Sequence, residues 1–291
     1  MNILVTGACG QLGNEMQLQA AQNPHHHWFF TDVADPATIL DITDPVAVSA
    51  FVKAHAIDVI VNCAAYTAVD RAEEDEARAM LLNATAPGYL AEAIERNGGK
   101  LIHISTDYVF DGTAHTPYPE AQPTCPASAY GRTKLAGEQA VLAANPSAMI
   151  IRTAWLYSTH GNNFVKTMIR LGRERTDLGV VFDQIGTPTY ARDLAVAIMT
   201  AINHGIKSGI YHFTNEGVCS WYDFACAIHR LTGITTCKIR PLHTSEYPTS
   251  AARPHYSVLD KSKIKQTYNI EIPHWEDSLE VCIKLLMNNE E

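Results

Sequence analysis

The sequence lacks the features that mark membrane-embedded, disulfide-stabilised and secreted proteins. No apolar run approaches the roughly 18 residues that a membrane-spanning helix needs. The seven cysteines are scattered and form no CxxC pair, which is typical of reduced, mostly buried residues in a cytosolic protein. The segment from Met1 to Gly7 has no basic region or cleavage site and has the pattern of a strand. We therefore expect a cytoplasmic protein.

The sequence has no excess of positive charge, and the sign of its net charge disfavours polyanionic partners. Charged residues make up 18% and hydrophobic residues 46% of the 291 residues, values that are ordinary for globular proteins and argue against long disorder. The net charge of −9 repels nucleic acids and anionic membranes overall. We expect neither as a partner. The length predicts one large domain or two fused ones.

Short apolar runs alternate with longer helical stretches in the first half of the chain. Strands are predicted over residues 3–6, 28–31, 58–62, 101–105 and 149–152, and helices over 11–22, about 72–96 and about 128–144. This alternation indicates an α/β fold in which helices cover both faces of a parallel sheet, the Rossmann-type doubly wound arrangement.

Beyond residue 155 the alternation weakens. Further helices are predicted over residues 163–175, 190–204, 221–231 and 275–288. We predict an NAD(P)-binding Rossmann domain over 1–154 and a smaller, mainly substrate-binding α/β portion over 155–291. This boundary is approximate, because the helix over 190–204 could return to the main sheet.

The first chemical motif is a set of glycines three residues apart, Gly7, Gly10 and Gly13, after the first strand. Glycines there permit a tight turn, the close approach of a pyrophosphate and close packing of the helix on the sheet. The helix N-terminus, at Gln11 and Leu12, offers free N–H groups and a positive dipole end to phosphates. The motif predicts a dinucleotide site, although a tight turn without a ligand would use the same glycines.

Asp32 follows Gly13 by 19 positions and ends the second predicted strand. A carboxylate there accepts hydrogen bonds from the adenine ribose hydroxyls and repels a 2′-phosphate. Val33 and Ala34 bring no arginine to offset that repulsion. We therefore expect NADH to be favoured over NADPH. The alternative role for Asp32 is that of a cap or turn residue.

Tyr130 and Lys134 are four residues apart on a predicted helix and so share one face. We expect the Lys134 ammonium to lower the pKa of Tyr130 toward the working pH, so that the pair exchanges a proton with a carbonyl oxygen during hydride transfer. Thr106, at a strand end, faces the same crevice and could bond the same oxygen. The simpler alternatives are a surface Tyr–Lys pair and a strand-end turn.

Several motifs along the chain resemble the extended short-chain dehydrogenase/reductases. They are Gly7-x-x-Gly10-x-x-Gly13, Asn62-Cys63-Ala64-Ala65, Asn83-Ala84-Thr85, Ser105-Thr106-Asp107 and Tyr130-x-x-x-Lys134. Longer stretches, over residues 61–73, 105–112, 152–157, 161–164, 253–254 and 257–260, resemble one family among them, the dTDP-4-dehydrorhamnose reductases. The resemblance covers nearly the whole chain.

This resemblance implies NAD(P)H-dependent reduction of the 4-keto group of dTDP-6-deoxy-L-lyxo-4-hexulose (dTDP-4-dehydrorhamnose) to dTDP-L-rhamnose, the last step of that pathway. It implies that Tyr130 donates the proton, that Lys134 binds the nicotinamide ribose and tunes Tyr130, and that Thr106 orients the keto oxygen. Further cofactor contacts are implied at Asp41, Ile42, Ala64, Ala65 and Tyr66. Substrate contacts are implied at Thr106, Asp107, Tyr108, Trp155, Asn162, Asn163 and Arg253.

The implied substrate contacts would each make a different kind of interaction with the ligand. The flat ring of Trp155 suits a sugar face or a base, although a core tryptophan is an equal alternative. Asn162 and Asn163 are candidates to hydrogen-bond the nucleotide diphosphate, and Arg253 is a candidate to pair with its charge. An arginine in an acidic chain is also commonly a surface residue.

The resemblance raises magnesium as well, because some relatives use it at a dimer contact through carboxylates. Glu15 matches one such position, but Arg192 stands where another acid would be expected. We therefore predict no metal site, with magnesium dependence as the open alternative, and the histidines at 25–27 have too few separated ligands for structural zinc. A monomer and a homodimer both stay open.

Two alternatives to this reductase differ in chemistry. One is another nucleotide-sugar 4-ketoreductase, or an epimerase or dehydratase on the same scaffold. Related dehydratases carry Thr-Asp-Glu at the strand end, and Tyr108 in the third place argues against dehydration. The other is a non-catalytic regulatory subunit resembling that of methionine adenosyltransferase, since fold similarity alone does not establish catalysis. The intact Tyr130, Lys134 and Thr106 favour an enzyme.

Overall fold

The first half of the chain alternates strands and helices. The structure is a computed structural model that describes residues 1–288. It begins with β1 (Asn2–Thr6), α1 (Gln11–Gln22), β2 (His27–Thr31), α2 (Pro45–Ala54), β3 (Val59–Asn62), α3 (Val69–Glu74) and α4 (Glu76–Met80). It continues with a π-helical turn (Leu81–Thr85), α5 (Ala86–Arg96), β4 (Lys100–Thr106), a 3₁₀ turn (Asp107–Val109), α6 (Ala129–Ala144) and β5 (Met149–Thr153).

The second half has shorter strands between its helices. These elements are β6 (Leu156–Tyr157), α7 (Phe164–Glu174), β7 (Asp177–Val181), β8 (Ile185–Gly186), β9 (Thr189–Tyr190), α8 (Ala191–His204) and β10 (Gly209–His212). They are followed by β11 (Cys219–Ser220), α9 (Trp221–Thr232), β12 (Lys238–Leu242), a 3₁₀ turn (Thr244–Glu246), α10 (Ser262–Tyr268) and α11 (Trp275–Asn288). Within residues 1–288, none of the helices is both long and apolar enough to cross a bilayer.

The main sheet has six parallel strands in the order β10-β5-β4-β3-β1-β2. The chain adds β2 on one side of β1 and then crosses to add β3 on the other side. In doubly wound sheets this switch point opens a crevice outside the carboxyl ends of the strands, where ligands bind. The predicted Rossmann-type α/β fold is confirmed.

Apolar side chains on alternate positions of the strands build a core on each face of this sheet. Ile3 and Val5 of β1 pack with α1, α8 and α10, whereas Leu4 packs with α2, α5 and α6. Burial on both faces explains why the strand sequences are continuously apolar. The helices thereby hold the carboxyl ends of the strands at one edge, where the candidate site lies.

The main sheet takes residues from both sides of residue 154. β10 pairs with β5, and α8 packs in the same core cluster as β1, so the helix predicted over 190–204 does return to the sheet. A separate core lies among α7, α9, α11 and β7. The division into domains at residue 154 stays a prediction.

The continuous helix predicted over 72–96 is wrong, because this segment is divided into α3, α4, the π-helical turn and α5. Asp75 ends α3 and caps α4 by accepting a hydrogen bond from the Arg78 N–H at 3.1 Å. Pro87 lies in the first turn of α5 and lacks an N–H, so the helix widens locally just before it. Within this turn, the Asn83 side chain accepts a hydrogen bond from the Tyr66 N–H and donates one to Thr133 Oγ1.

Two helices, α2 and α10, were not predicted from the sequence. For α2 the signal was present, because Asp44 accepts hydrogen bonds from the N–H groups of Val46 and Ala47 and Pro45 occupies the first turn. For α10 it was weak, since the helix spans only Ser262–Tyr268 and has no side-chain cap.

Candidate active site

A cleft of about 770 Å³ opens at the carboxyl ends of the central strands. Most of the residues predicted for the site line it. They are Gly7, Gly10, Gln11, Leu12, Asp32, Asp41, Ile42, Ala64, Ala65, Thr106, Asp107, Tyr108, Tyr130, Lys134, Trp155, Asn162 and Arg253. The fold thus brings together segments that are up to about 250 residues apart in the sequence, at the place where this sheet topology favours a ligand.

The glycine turn after β1 has the geometry that close approach of a phosphate requires. Gly7 has a φ of +68°, and a Cβ there would lie 2.6 Å from the Ala64 nitrogen. A Cβ at Gly13 would overlap the Gly7 carbonyl, so this glycine serves the packing of α1 on the turn rather than the cleft wall. Gly10 caps α1 with no side-chain hydrogen bond, and the first turn of α1 carries no acid. The free N–H groups there fit a pyrophosphate.

Asp32 supports the glycine turn as well as lining the cleft. Its Oδ2 accepts a hydrogen bond from the Cys9 N–H at 3.0 Å, and its Oδ1 accepts one from the Ala34 N–H at 2.9 Å. Each carboxylate oxygen has further acceptor capacity for a ribose hydroxyl. The turn-residue role and the ribose role of Asp32 are therefore compatible.

Tyr130, Thr106 and Asp107 form a connected chain of polar groups in the cleft. The Thr106 hydroxyl acts on that of Tyr130, and Thr106 Oγ1 donates to Asp107 Oδ1 at 2.9 Å. Ser128 begins α6 by accepting a hydrogen bond from the Gly131 N–H, which sets Tyr130 in the first turn. Burial raises the pKa of Tyr130 to about 12, the Asp107 charge raises it as well, and the Thr106 bond acts in the opposite direction.

Lys134 is buried below Tyr130 and does not lower its pKa as predicted. The Lys134 Nζ donates to the Ile104 carbonyl at 2.6 Å, and its burial lowers its own pKa to about 8, while Glu138 acts in the opposite direction. Burial dominates the pKa of Tyr130 and moves it upward. The predicted direction of that shift was therefore wrong, because the sequence pattern contains the charge of Lys134 but not the depth of the phenol.

A buried ionic network, which the sequence did not predict, lies beneath these residues. Arg152 donates from Nε and Nη2 to the two carboxylate oxygens of Glu138 at 2.8 and 2.7 Å, and both side chains are 2% exposed. Ser105 Oγ donates to Glu138 Oε1 at 2.5 Å. The network ties α6 to β4 and β5. A signal existed, because Glu138 is four residues after Lys134 and so lies on the same face of α6.

Aromatic rings form the far wall of the cleft. Trp155, which has a φ of +49°, stacks on Trp221 with ring centroids 3.5 Å apart and planes 11° apart. Trp221 also lines the cleft and was not predicted. Tyr108 meets Tyr130 edge to face at 5.4 Å. These rings offer flat apolar surface to a sugar or a base.

Arg253 brings a partly paired cation to the cleft. Its Nη2 donates to Asp70 Oδ2 at 2.6 Å. Its Nη1 is buried and has no hydrogen-bond partner among residues 1–288. An anionic oxygen in the cleft would complete this guanidinium.

Two further predicted contacts lie outside the cleft wall, as Gly13 does. Asn163 caps α7 by accepting a hydrogen bond from the Lys166 N–H at 3.1 Å, and its Nδ2 donates to the Ser158 carbonyl and to Gln11 Oε1. Tyr66 lines an adjoining groove, where Asn83 bonds its backbone. Asn163 and Tyr66 therefore do not line the cleft to which they were assigned, because hydrogen bonds to Gln11 and Asn83 hold them.

Glu15 does not fit the role of a magnesium ligand. This fully buried carboxylate accepts a hydrogen bond from Arg192 Nε at 3.0 Å on one oxygen and one from Ser158 Oγ at 3.0 Å on the other. The guanidinium neutralises the charge that a metal would need. Across the described part of the chain, no three His, Cys, Asp or Glu side chains are grouped closely enough to hold a metal ion.

Known proteins resemble the chain over nearly its full length. A family model described as the RmlD substrate binding domain matches residues 1–288. A Streptomyces antibioticus protein named probable dTDP-4,6-dihydroxy-2-methyloxan-3-one 4-ketoreductase is 46% identical, and the match covers 96% of this chain and 93% of that protein.

Solved structures agree. The crystal structure of a dTDP-4-dehydrorhamnose reductase from Clostridium acetobutylicum is 47% identical with a TM-score of 0.93, over 99% of this chain and 100% of that one. That of a Bacillus anthracis dTDP-4-dehydrorhamnose reductase in complex with NADP is 40% identical with a TM-score of 0.92, over 98% and 99%. The chain therefore belongs to the RmlD family, the family of the dTDP-4-dehydrorhamnose reductases.

Proposed function

We propose that the protein reduces the 4-keto group of dTDP-4-dehydrorhamnose to give dTDP-L-rhamnose, with NADH or NADPH as the reductant. The observation that carries this proposal is that Tyr130 and Thr106 line the same cleft, which begins at the glycine turn. Family membership supports the same reaction, since relatives bear that name.

The cofactor would lie along the glycine side of the cleft. A nicotinamide cofactor supplies the hydride when it is bound. The open N-terminus of α1 would hold its pyrophosphate, and Asp32 would accept hydrogen bonds from the adenine ribose. Lys134 would bond the nicotinamide ribose. The NADP in the Bacillus anthracis reductase supports a nicotinamide cofactor, and Asp32 supports a preference for NADH.

Tyr130 would act as the proton donor. Because its pKa is about 12, its hydroxyl keeps the proton at neutral pH and can give it to the oxygen of a ketone that is being reduced. Thr106 would turn its hydroxyl from Asp107 to the same oxygen and hold it in place. Lys134, with a pKa near 8, stays largely charged at neutral pH and would hold the nicotinamide ribose beside Tyr130.

The nucleotide sugar would occupy the opposite wall. Trp155 and Trp221 would cover an apolar face of the sugar or base. Arg253 Nη1 would pair with the diphosphate, with Asn162 as a further hydrogen-bonding group.

The direct test combines the protein with NADH or NADPH and the dTDP-4-keto-6-deoxy sugar, with the upstream epimerase present. We expect stoichiometric loss of nicotinamide absorbance and dTDP-L-rhamnose as the product. An epimerase or dehydratase would recycle its cofactor and give no net loss. Cofactor binding without oxidation, together with co-purification of a larger enzyme, would favour a regulatory subunit.

A second candidate substrate has support of its own. The Streptomyces antibioticus relative is named for a different dTDP-linked ketone, so the reaction class is better supported than the sugar. We propose running that ketone in parallel and comparing kcat/KM for the two. The cytoplasmic location and the choice between monomer and homodimer stay predictions.

A further inference from the structure

Residues 247–253 form a strap that leads from the second half of the chain to the cleft. The strap follows the 3₁₀ turn at Thr244–Glu246, and its residues 247–250 are all exposed. Ala251, which comes next, is fully buried, and Arg253 lines the cleft. The strap has no helix or strand of its own. Its position therefore depends on the hydrogen bonds that hold it from outside.

Asp70, in the first turn of α3, holds the strap with both of its carboxylate oxygens. Its Oδ1 accepts a hydrogen bond from the Ala251 N–H at 3.1 Å, and its Oδ2 accepts one from Arg253 Nη2 at 2.6 Å. Within residues 1–288, no other hydrogen bond joins the strap to the first half of the chain. One side chain thus fixes both the backbone of the strap and its arginine.

The bond to Asp70 also sets the direction of the free N–H groups of Arg253. A guanidinium is planar, so a carboxylate that holds Nη2 determines where Nη1 lies. This Nη1 is the buried nitrogen that has no partner in the described part of the chain. Burial raises the pKa of Tyr108, the Arg253 charge lowers it and the Asp70 charge raises it. The ion pair therefore lies close to Tyr108, at the tyrosine end of the cleft.

The segment that precedes Asp70 belongs to the cofactor side of the same cleft. It runs from the end of β3 to α3, and four of its residues line the cleft: Ala64, Ala65, Thr67 and Val69. Ala64 also packs directly against Gly7 of the glycine turn. A cofactor bound along this segment would fix the start of α3, and with it the carboxylate that holds the strap.

We propose that Asp70 is a positioning residue that couples the two ends of the cleft. A bound cofactor fixes Asp70, and Asp70 in turn holds the strap with Arg253 directed at the diphosphate of the nucleotide sugar. This inference rests on the proposed function for the identity of the two ligands, but its tests need no turnover. Coupling between two sites is reciprocal, so each ligand should raise the affinity for the other by the same factor.

The first test measures the affinity for dTDP by calorimetric titration, with and without a saturating nicotinamide cofactor. The cofactor is NADH or NADPH, whichever binds the wild type more tightly. Asp70→Ala removes both hydrogen bonds, and Asp70→Asn keeps a neutral acceptor for them. The control is Asp177→Ala, because the Asp177 side chain is 46% exposed, as is that of Asp70, and it is also paired with an arginine, Arg240.

We expect the cofactor to raise the dTDP affinity about 5- to 50-fold in the wild type and in Asp177→Ala. The increase should disappear in Asp70→Ala and be partly restored in Asp70→Asn. A carboxylate that acted only through its charge would repel the diphosphate, so both Asp70 variants would bind dTDP more tightly. Tighter binding in both variants, with the effect of the cofactor unchanged, overturns the proposal.

The second test follows amide hydrogen exchange and needs the cofactor alone. In the wild type the cofactor should slow exchange over residues 64–69 and also over the strap, where the Ala251 N–H donates to Asp70. In Asp70→Ala the cofactor should still protect residues 64–69 but no longer the strap, which shows that the variant is folded and binds. Protection of residues 64–69 without the strap in the wild type overturns the proposal. Protection of the strap in a wild-type protein that binds no dTDP supports it and rejects only the proposed substrate.

Discussion

The two ends of the cleft are built in different ways. At the glycine end, backbone N–H groups and turn carboxylates from the first 45 residues form the surface, as around Gly7 and Asp32. At the tyrosine end, side chains from β4, α6, α9 and the segment around Arg253 meet. Local chain geometry shapes the glycine end, whereas only the packed fold assembles the tyrosine end.

We therefore expect the two ends of the cleft to be sensitive to different substitutions and to respond differently to pH. At the glycine end, a Cβ added at Gly7 or Gly13 would overlap backbone atoms, but few ionisable groups are buried there. The tyrosine end depends on buried groups such as Lys134 and Asp107, whose pKa values are displaced by burial. Substitutions of charge and changes of pH should therefore act mainly there.

The largest effect is expected for Tyr130→Phe, which removes the proposed proton donor and leaves the ring. We expect kcat/KM to fall about 10²- to 10⁴-fold, the usual contribution of a general acid, with cofactor affinity unchanged. Steady-state assays and fluorescence titration of NADH measure the two effects. Near wild-type turnover would remove the proton-donor role of Tyr130.

The next effect concerns Glu138→Gln, which leaves the buried Arg152 guanidinium without its anion. We expect a loss of about 3–5 kcal/mol in the free energy of unfolding, measured by urea denaturation. Glu92→Gln, which breaks an exposed pair with Arg96, is the matched control and should cost under about 0.5 kcal/mol. Similar losses in the two variants would show that the buried network adds no special stability.

Gly7→Ala tests the glycine end. The new alanine would be strained at a φ of +68°, and its Cβ would meet the Ala64 nitrogen. We therefore expect the free energy of unfolding to fall by about 1–3 kcal/mol and cofactor binding to weaken. Thermal unfolding and NADH titration check both. Gly98→Ala is the control, because Gly98 has a φ of +72° and nothing lies near the position of its Cβ. This variant therefore carries the backbone strain without the steric contact. Identical behaviour of the two would reject the close-approach argument.

The pH dependence of turnover reports on Lys134. Burial lowers its pKa to about 8, so the ammonium is present below this value and is lost as the pH rises through it. We expect kcat/KM to fall above about pH 8, approaching tenfold per pH unit for a single essential proton. Lys134→Arg should remove this alkaline limb, because arginine stays protonated. If kcat/KM of this variant still fell above about pH 8, the titrating group would be one other than Lys134.

The smallest effect is expected for the cofactor preference. Asp32→Ser should reduce the preference for NADH over NADPH by about tenfold, or about 1.4 kcal/mol, because it removes the carboxylate that repels a 2′-phosphate. The ratio of kcat/KM values for the two cofactors measures it. A strong NADPH preference in the wild type would overturn the proposed role of Asp32.

Features set by local sequence were predicted correctly, whereas features set by long-range contacts were not. The strand–glycine–helix unit and the Tyr130–Lys134 face follow from spacing along one segment, and both lie where they were expected. Asn163 and Tyr66 were misplaced because hydrogen bonds to Gln11 and Asn83, residues distant in sequence, set their positions. The break at Asp75 was not predicted, because this residue ends α3 and begins α4 and so leaves helical sequence on both sides of it.

The sequence by itself determined the parallel α/β fold, the glycine turn and the helix that carries Tyr130 and Lys134, because periodicity and the backbone freedom of glycine act over a few residues. Only the tertiary structure decided that Trp221 stacks on Trp155, that Arg152 neutralises Glu138 and that one oxygen of Asp107 stays unpaired. Burial sets the pKa values and the unsatisfied hydrogen bonds of such groups. Burial depends on which distant segments pack together, and no spacing along the chain records that.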